Sequence, residues 1–188
     1  MGTGLAQLNP YTREPLNEGT LKILHDRIEW LRSRKYQIRY ISTDVLTPEQ
    51  VWNQRVLDVF LKIEGLGYYV SCDWFHELIA YQHAALYSRL FNLWNYRLGL
   101  TPAQKDEIVP RHNGTGEDRL FRYIPETLPR KDKHWWERHN IAILDALVSR
   151  AEDKDHRKLG ALYVLMGLVQ VSLPAARSLP WVAETVLN

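Results

Sequence analysis

His25-Asp26 sets an imidazole beside a carboxylate, the pairing with which a metal-dependent phosphohydrolase holds a hydroxide-activating ion, and His76, His83 and His139 stand elsewhere in the chain. That chemistry needs imidazoles and carboxylates converging on one ion, and no later His-Asp pair supplies the second half. His76-Glu77 and His83 approach a zinc-protease signature with the wrong interval. The motif places histidines four apart on one helical face, whereas the step of seven here separates the rings by two turns, about 10 Å of helix rise. His134 and His139 are five apart and fall on different sides of a helix. Each histidine therefore reads as a surface or core group with one hydrogen bond. Cys72 has no cation beside it in sequence to favour a nucleophilic thiolate. Gly114-Thr-Gly116 lacks the strand, lysine and helix start of a phosphate loop. Asn113-Gly-Thr115 matches a glycosylation acceptor but has no secretory context. The residues nominate no catalytic group, no metal ligand set and no cofactor.

Cations give a clearer signal. Arg27, Arg32, Arg34, Lys35 and Arg39 stand against Glu29 alone, and Arg119, Arg122, Arg130, Lys131, Lys133 and Arg138 stand against Glu126, Asp132 and Glu137. Tyr36, Tyr40, Phe121, Tyr123, Trp135 and Trp136 are interleaved with them. Arginine beside accessible rings holds single-stranded nucleic acid, at roughly 1 to 3 kcal/mol per stacked base. The same residues also suit solvated helix ends and protein interfaces. Arg32, Arg34, Lys35, Arg39, Arg119, Arg122, Arg130, Lys131 and Lys133 are the expected contacts to a partner or to nucleic acid.

The elements that must position these groups are helical. Asp73 to Gly99 contains no proline, opens on a capping residue and closes on glycine. Its broad apolar face, with Trp74, Phe75, Leu78, Leu86, Leu90 and Trp94 among its members, predicts one long central helix. Leu21, Leu24, Ile28 and Leu31 predict a helix over about 20–34. Thr47-Pro-Glu-Gln50 and Thr101-Pro-Ala-Gln104 both read as capping-box starts. Asp132 and Asp155 are the expected caps of two later helices. The second is apolar all round from Leu159 to Val169, with Gly160 and Gly167 placed for close approach of a neighbour. Pro174 and Pro180 frame a last segment in which Trp181 is expected to plug the core edge. Tyr36 to Ser42 alternates like a strand, and Gly65 to Val70 could pair with it.

The 188 residues, 45% of them apolar and 24% charged, suffice for one domain with a real core. The fold class is mainly α: a single-domain bundle of six to seven helices around a long central helix, with at most one two-stranded element. Residues 1–19 read as an extended arm, 20–188 as the helical domain, and 111–131 as a long loop of functional length. The net charge of +2 does not by itself indicate nucleic acid. A lone cysteine, no secretory pattern at the N-terminus and no apolar run near the roughly 20 residues of a membrane span predict a soluble intracellular protein without membrane contact.

Leu93-Trp-Asn-Tyr-Arg97, the Ile108-Val-Pro110 stop, Asp73-Trp-Phe75 and Leu179-Pro-Trp181 resemble a pattern in uncharacterised helical accessory proteins of large DNA viruses of eukaryotes. The resemblance implies an accessory, virion-associated or cytoplasmic protein and carries no substrate, cofactor or active residue. In physical terms Trp94 and Trp181 read as core anchors, and Asn95 and Arg97 as groups that bond to backbone or a partner. The first functional reading is a non-enzymatic binding or structural component of a larger assembly, with a protein partner. The alternatives are a nucleic-acid-binding accessory factor and an HD-type metal-dependent phosphohydrolase.

Overall fold

Capping chemistry sets most helix starts. The structure, a computed structural model, describes residues 15–34, 46–111 and 119–187. The chain divides into two compact units, residues 1–46 and 47–188. In the first unit α1 (Glu18–Ser33) starts from Asn17, whose side chain accepts from the Thr20 amide at 2.8 Å, so the helix begins slightly before the expected residue 20. The alternating stretch 36–42 lies outside the described residues. Gly65 is the last residue of a helix, and Leu66 to Val70 is turn and coil rather than strand.

The second unit holds α2 (Pro48–Gly65), α3 (Asp73–His76), α4 (Ala80–Asn92), a π-helical turn (Leu93–Arg97), α5 (Pro102–Ile108), a 3-10 turn (Pro125–Thr127), α6 (Lys133–Ser149), α7 (Lys154–Leu168), α8 (Leu173–Ser178) and α9 (Pro180–Leu187). Both Thr-Pro-x-Gln starts form full capping boxes. Thr47 N donates to Gln50 Oε1 at 2.9 Å, and Thr101 N to Gln104 Oε1 at 2.9 Å, with each threonine hydroxyl accepting in return. Asp132 caps α6 through the Trp135 amide at 2.7 Å. The cap of α7 is Asp153, which accepts from Asp155 and His156 amides at 2.7 and 3.1 Å, and not Asp155. Two aspartates spaced by one residue offer the same signal in sequence, and the one before the turn takes the helix.

α4, α6 and α7 pack on one another, α2 lies against α6, and α5 and α9 lie against α7. The centre is thus shared by three helices. The continuous helix expected over 73–99 is interrupted. Ile79 is extended (φ −87°, ψ 169°), and its amide is capped by Gln82 Oε1 at 3.0 Å, while Gln82 Nε2 reaches the Val171 carbonyl at 3.0 Å. That break leaves Ile79 at the surface and lets Phe75 and Leu78 enter the core from a separate turn. Burial of two large apolar groups, about 1.5 to 3 kcal/mol each, together with the glutamine cap, outweighs the few helical hydrogen bonds lost.

α6 and α7 touch at backbone distance. A Cβ on Gly160 would fall on the Leu147 carbonyl oxygen and 2.8 Å from its carbon, and one on Gly167 would lie 2.6 Å from Leu90 Cδ2. Both glycines therefore have the role their place on an all-apolar helix suggested. Gly99 ends the π-helical turn with φ +59°, a conformation glycine adopts without steric cost. Trp94 is buried, but Trp181 is 52% exposed and is not the core plug expected of it. Val182 and Val186, one step on, are the α9 residues that turn inward. Asn95 Nδ2 donates to the Phe91 carbonyl at 3.1 Å, and Arg97 to the Val186 carbonyl at 3.3 Å. Among the described residues no helix is long and apolar enough to cross a membrane.

Candidate functional site

The segment 119–123 carries cations outward because it is pinned from below. Phe121 is buried edge-on against Tyr87 and Phe91, with ring centroids 5.5 and 5.4 Å away. The Tyr87 hydroxyl donates to the Tyr123 carbonyl at 3.0 Å and accepts from the Tyr123 amide at 3.3 Å. Burial pushes the Tyr87 phenol upward in pKa, which keeps it a donor. With Phe121 facing in, Arg119 and Arg122 stay exposed.

They form one wall of a groove of about 400 Å³ whose other wall is α6, through Arg138, His139 and Arg150, with Ala142 and Ala146 also lining it. Arg138, Ala142, Ala146 and Arg150 recur every four residues and so share one face of the helix. Four guanidinium groups meet there, and no carboxylate is among the described residues that line the groove. At the same end of α6 the His139 ring stacks on Trp135, centroids 3.7 Å apart and planes 21° from parallel. Its Nδ1 donates to the Trp135 carbonyl at 2.7 Å. Tyr123 completes the cluster, 5.5 Å from Trp135, and the Lys131 ammonium lies 5.5 Å from the Trp135 ring, close enough for cation–π attraction.

The structure therefore gathers some of the expected contacts and scatters others. Arg119 and Arg122 share the groove and Lys131 sits on the aromatic cluster beside it. Arg130 is exposed and is not part of the groove lining. Lys133 turns the other way, to the His76 carbonyl at 3.3 Å and Glu137 Oε1 at 3.4 Å. On α1, Arg34 lies 4.6 Å and Arg27 4.3 Å from the Trp30 ring, an arrangement internal to that helix. Lys35, Arg39 and the side chain of Arg32 lie outside the described residues. Arg138, His139 and Arg150 line the groove but are not among the expected contacts, although the four-residue spacing of arginine and alanine on α6 displays the two arginines in the sequence.

A second polar group is buried on the opposite side of α6. His83 has 0% exposure and neither ring nitrogen has a hydrogen-bond partner among the described residues, where a core histidine is expected to make one. Asn140 Nδ2 holds the His83 carbonyl at 2.8 Å. Glu137, also buried, takes His134 Nδ1 at 2.9 Å and lies 3.7 Å from His83 Nε2. Burial lowers the His83 pKa to about 4 despite the opposing pull of Glu137, with Lys133 and His76 adding repulsion. The imidazole is therefore neutral at pH 7, and the pair with Glu137 is not ionic. His25 and Asp26 are exposed on α1, and among the described residues no three His, Cys, Asp or Glu side chains gather as an ion would require. No protein-family model, no curated protein and no solved structure matches the chain.

Proposed function

We propose that this chain is a non-enzymatic accessory protein that binds single-stranded nucleic acid along the groove between residues 119–123 and α6. The observation that carries the reading is the meeting of Arg119, Arg122, Arg138 and Arg150 in one concavity without a carboxylate among its described lining residues. Guanidinium groups suit phosphate because their planar fork donates in pairs. The Tyr123, Trp135 and His139 cluster at the same end of the groove favours nucleic acid over an acidic protein segment, since nucleobases present π-faces to such rings. The assembly-component reading uses the same surface with a different partner.

Fluorescence anisotropy with a labelled single strand of about twelve nucleotides tests it at two salt concentrations, about 50 and about 200 mM. Three phosphate contacts, from Arg119, Arg122 and Arg138, give a log–log slope near −2, so affinity falls roughly twentyfold across that range. The double charge reversal Arg122→Glu with Arg138→Glu, at two exposed positions, is expected to abolish binding while leaving the fold intact. No binding at the lower salt, or binding that the double variant leaves unchanged, overturns the reading.

A further inference from the structure

A larger concavity of about 610 Å³ adjoins the groove, and Arg119, Leu120 and Arg122 line both. Its far wall is the π-helical turn, closed by the Leu98 amide on the Leu93 carbonyl at 3.1 Å. Single π-helical turns of this kind are frequent at functional sites. Trp94, Asn95 and Tyr96 of this turn face the cavity. Asn95 is fixed from two sides, donating to the Phe91 carbonyl and accepting from Lys105 Nζ at 3.2 Å. The Lys105 ammonium lies 5.7 Å from the Trp94 ring, and burial lowers its pKa. Asp106 is engaged in a two-pronged pair with Arg111, at 2.8 and 2.5 Å. Among the described lining residues the charge that remains is positive, from Lys105, Arg119 and Arg122. Two accessible rings, Tyr96 at 69% and Tyr123 at 40% exposure, flank the opening.

We propose that this cavity is a nucleobase pocket: one unpaired base of the bound strand enters against Tyr96, and the phosphates that flank it continue over Arg119 and Arg122 into the arginine groove. The inference rests on the binding reading above and adds to it why the ligand must be single-stranded. A base in a duplex is stacked and paired, so it cannot enter a pocket without being extruded.

The experiment compares three ligands of equal length with the intact chain: a thymine strand, the same backbone without bases, and a blunt duplex. The thymine strand is expected to bind about tenfold more tightly than the abasic one, the scale of one stacked base, and the duplex no better than the abasic strand. Tyr96→Ala should lower thymine-strand affinity about tenfold, the share of one stacked base, without changing abasic affinity, and Tyr96→Phe should restore it. Equal binding of thymine and abasic strands by the wild type overturns the pocket, as does a Tyr96→Ala loss shared by both ligands. In either case sensitivity to Arg122→Glu with Arg138→Glu leaves the groove standing. Failure of the wild type to bind any of the three overturns the groove and the pocket together.

Discussion

Gly160→Ala isolates the contact on which the helical centre depends. The new methyl would lie far inside contact distance of the Leu147 carbonyl oxygen, with the carbonyl carbon at 2.8 Å and Leu147 Cα at 3.4 Å. None of these atoms can rotate away, because they belong to the backbone of α6. Carbon and oxygen settle near 3.3 to 3.6 Å, so α6 and α7 must separate by an ångström or more. Leu144, Leu147, Ala161, Val164, Leu165 and Leu168 are all buried, and a gap of about 1 Å forfeits a quarter to a half of each dispersion contact across the seam. Overpacking of this kind costs up to about 3 kcal/mol. Alanine returns about 1 kcal/mol in helix propensity, which leaves a net loss of about 2 kcal/mol. Gly65→Ala is the matched control, since a Cβ there meets nothing within 4 Å; it should gain about 0.5 kcal/mol. Urea unfolding followed by tryptophan fluorescence and far-UV circular dichroism measures both free energies, and in thermal melts the first variant should lower Tm by about 4 to 8 °C for a chain of this length. A Gly160→Ala protein as stable as wild type, alongside a stabilised Gly65→Ala, would refute the close packing of α6 on α7.

Stability should also fall on mild acidification through His83. Its folded pKa of about 4 lies below the ordinary 6.5, so the unfolded chain takes up the proton first. The stabilisation is complete above pH 6.5 and is lost as pH falls toward 4, amounting to about 2 kcal/mol by pH 5. Thermal melts at pH 7 and pH 5 should therefore diverge in the wild type and much less in His83→Leu; an equal divergence in both would exonerate the imidazole. At Gly99, φ +59° penalises a Cβ by about 1 to 2 kcal/mol, so Gly99→Val should be clearly less stable than Gly99→Asn in the same urea assay. Equal stability of the two would mean that the turn relaxes.

Local signals carried the helical class, both Thr-Pro-x-Gln starts, the Asp132 cap, the Gly99 stop and the two glycines of α7. Each depends on chemistry within a turn or on the periodicity of one face, which a linear sequence displays directly. The break at Ile79 was hidden because its cap, Gln82, is an ordinary helix residue whose other amide hydrogen bond goes to Val171 on a distant element. Asp153 caps α7 in place of the expected Asp155, because the chain turns into the helix one residue pair earlier. Trp181 looked like a core residue by type, and only the docking of α9 decided that Val182 and Val186 face inward instead.

The candidate site divides along the same line. The abundance of arginine and aromatic rings between residues 119 and 150 was fixed by the sequence, and so was their capacity for phosphate and bases. Which of them meet was not. Arg119 and Arg122 join Arg138 and Arg150 only because Phe121 is buried and Tyr87 clamps Tyr123, while Lys133, a close neighbour in sequence, is drawn to the opposite side by Glu137 and the His76 carbonyl. Side-chain chemistry is a property of each residue, but a concavity exists only between elements, and their packing is settled by apolar burial summed over the whole core.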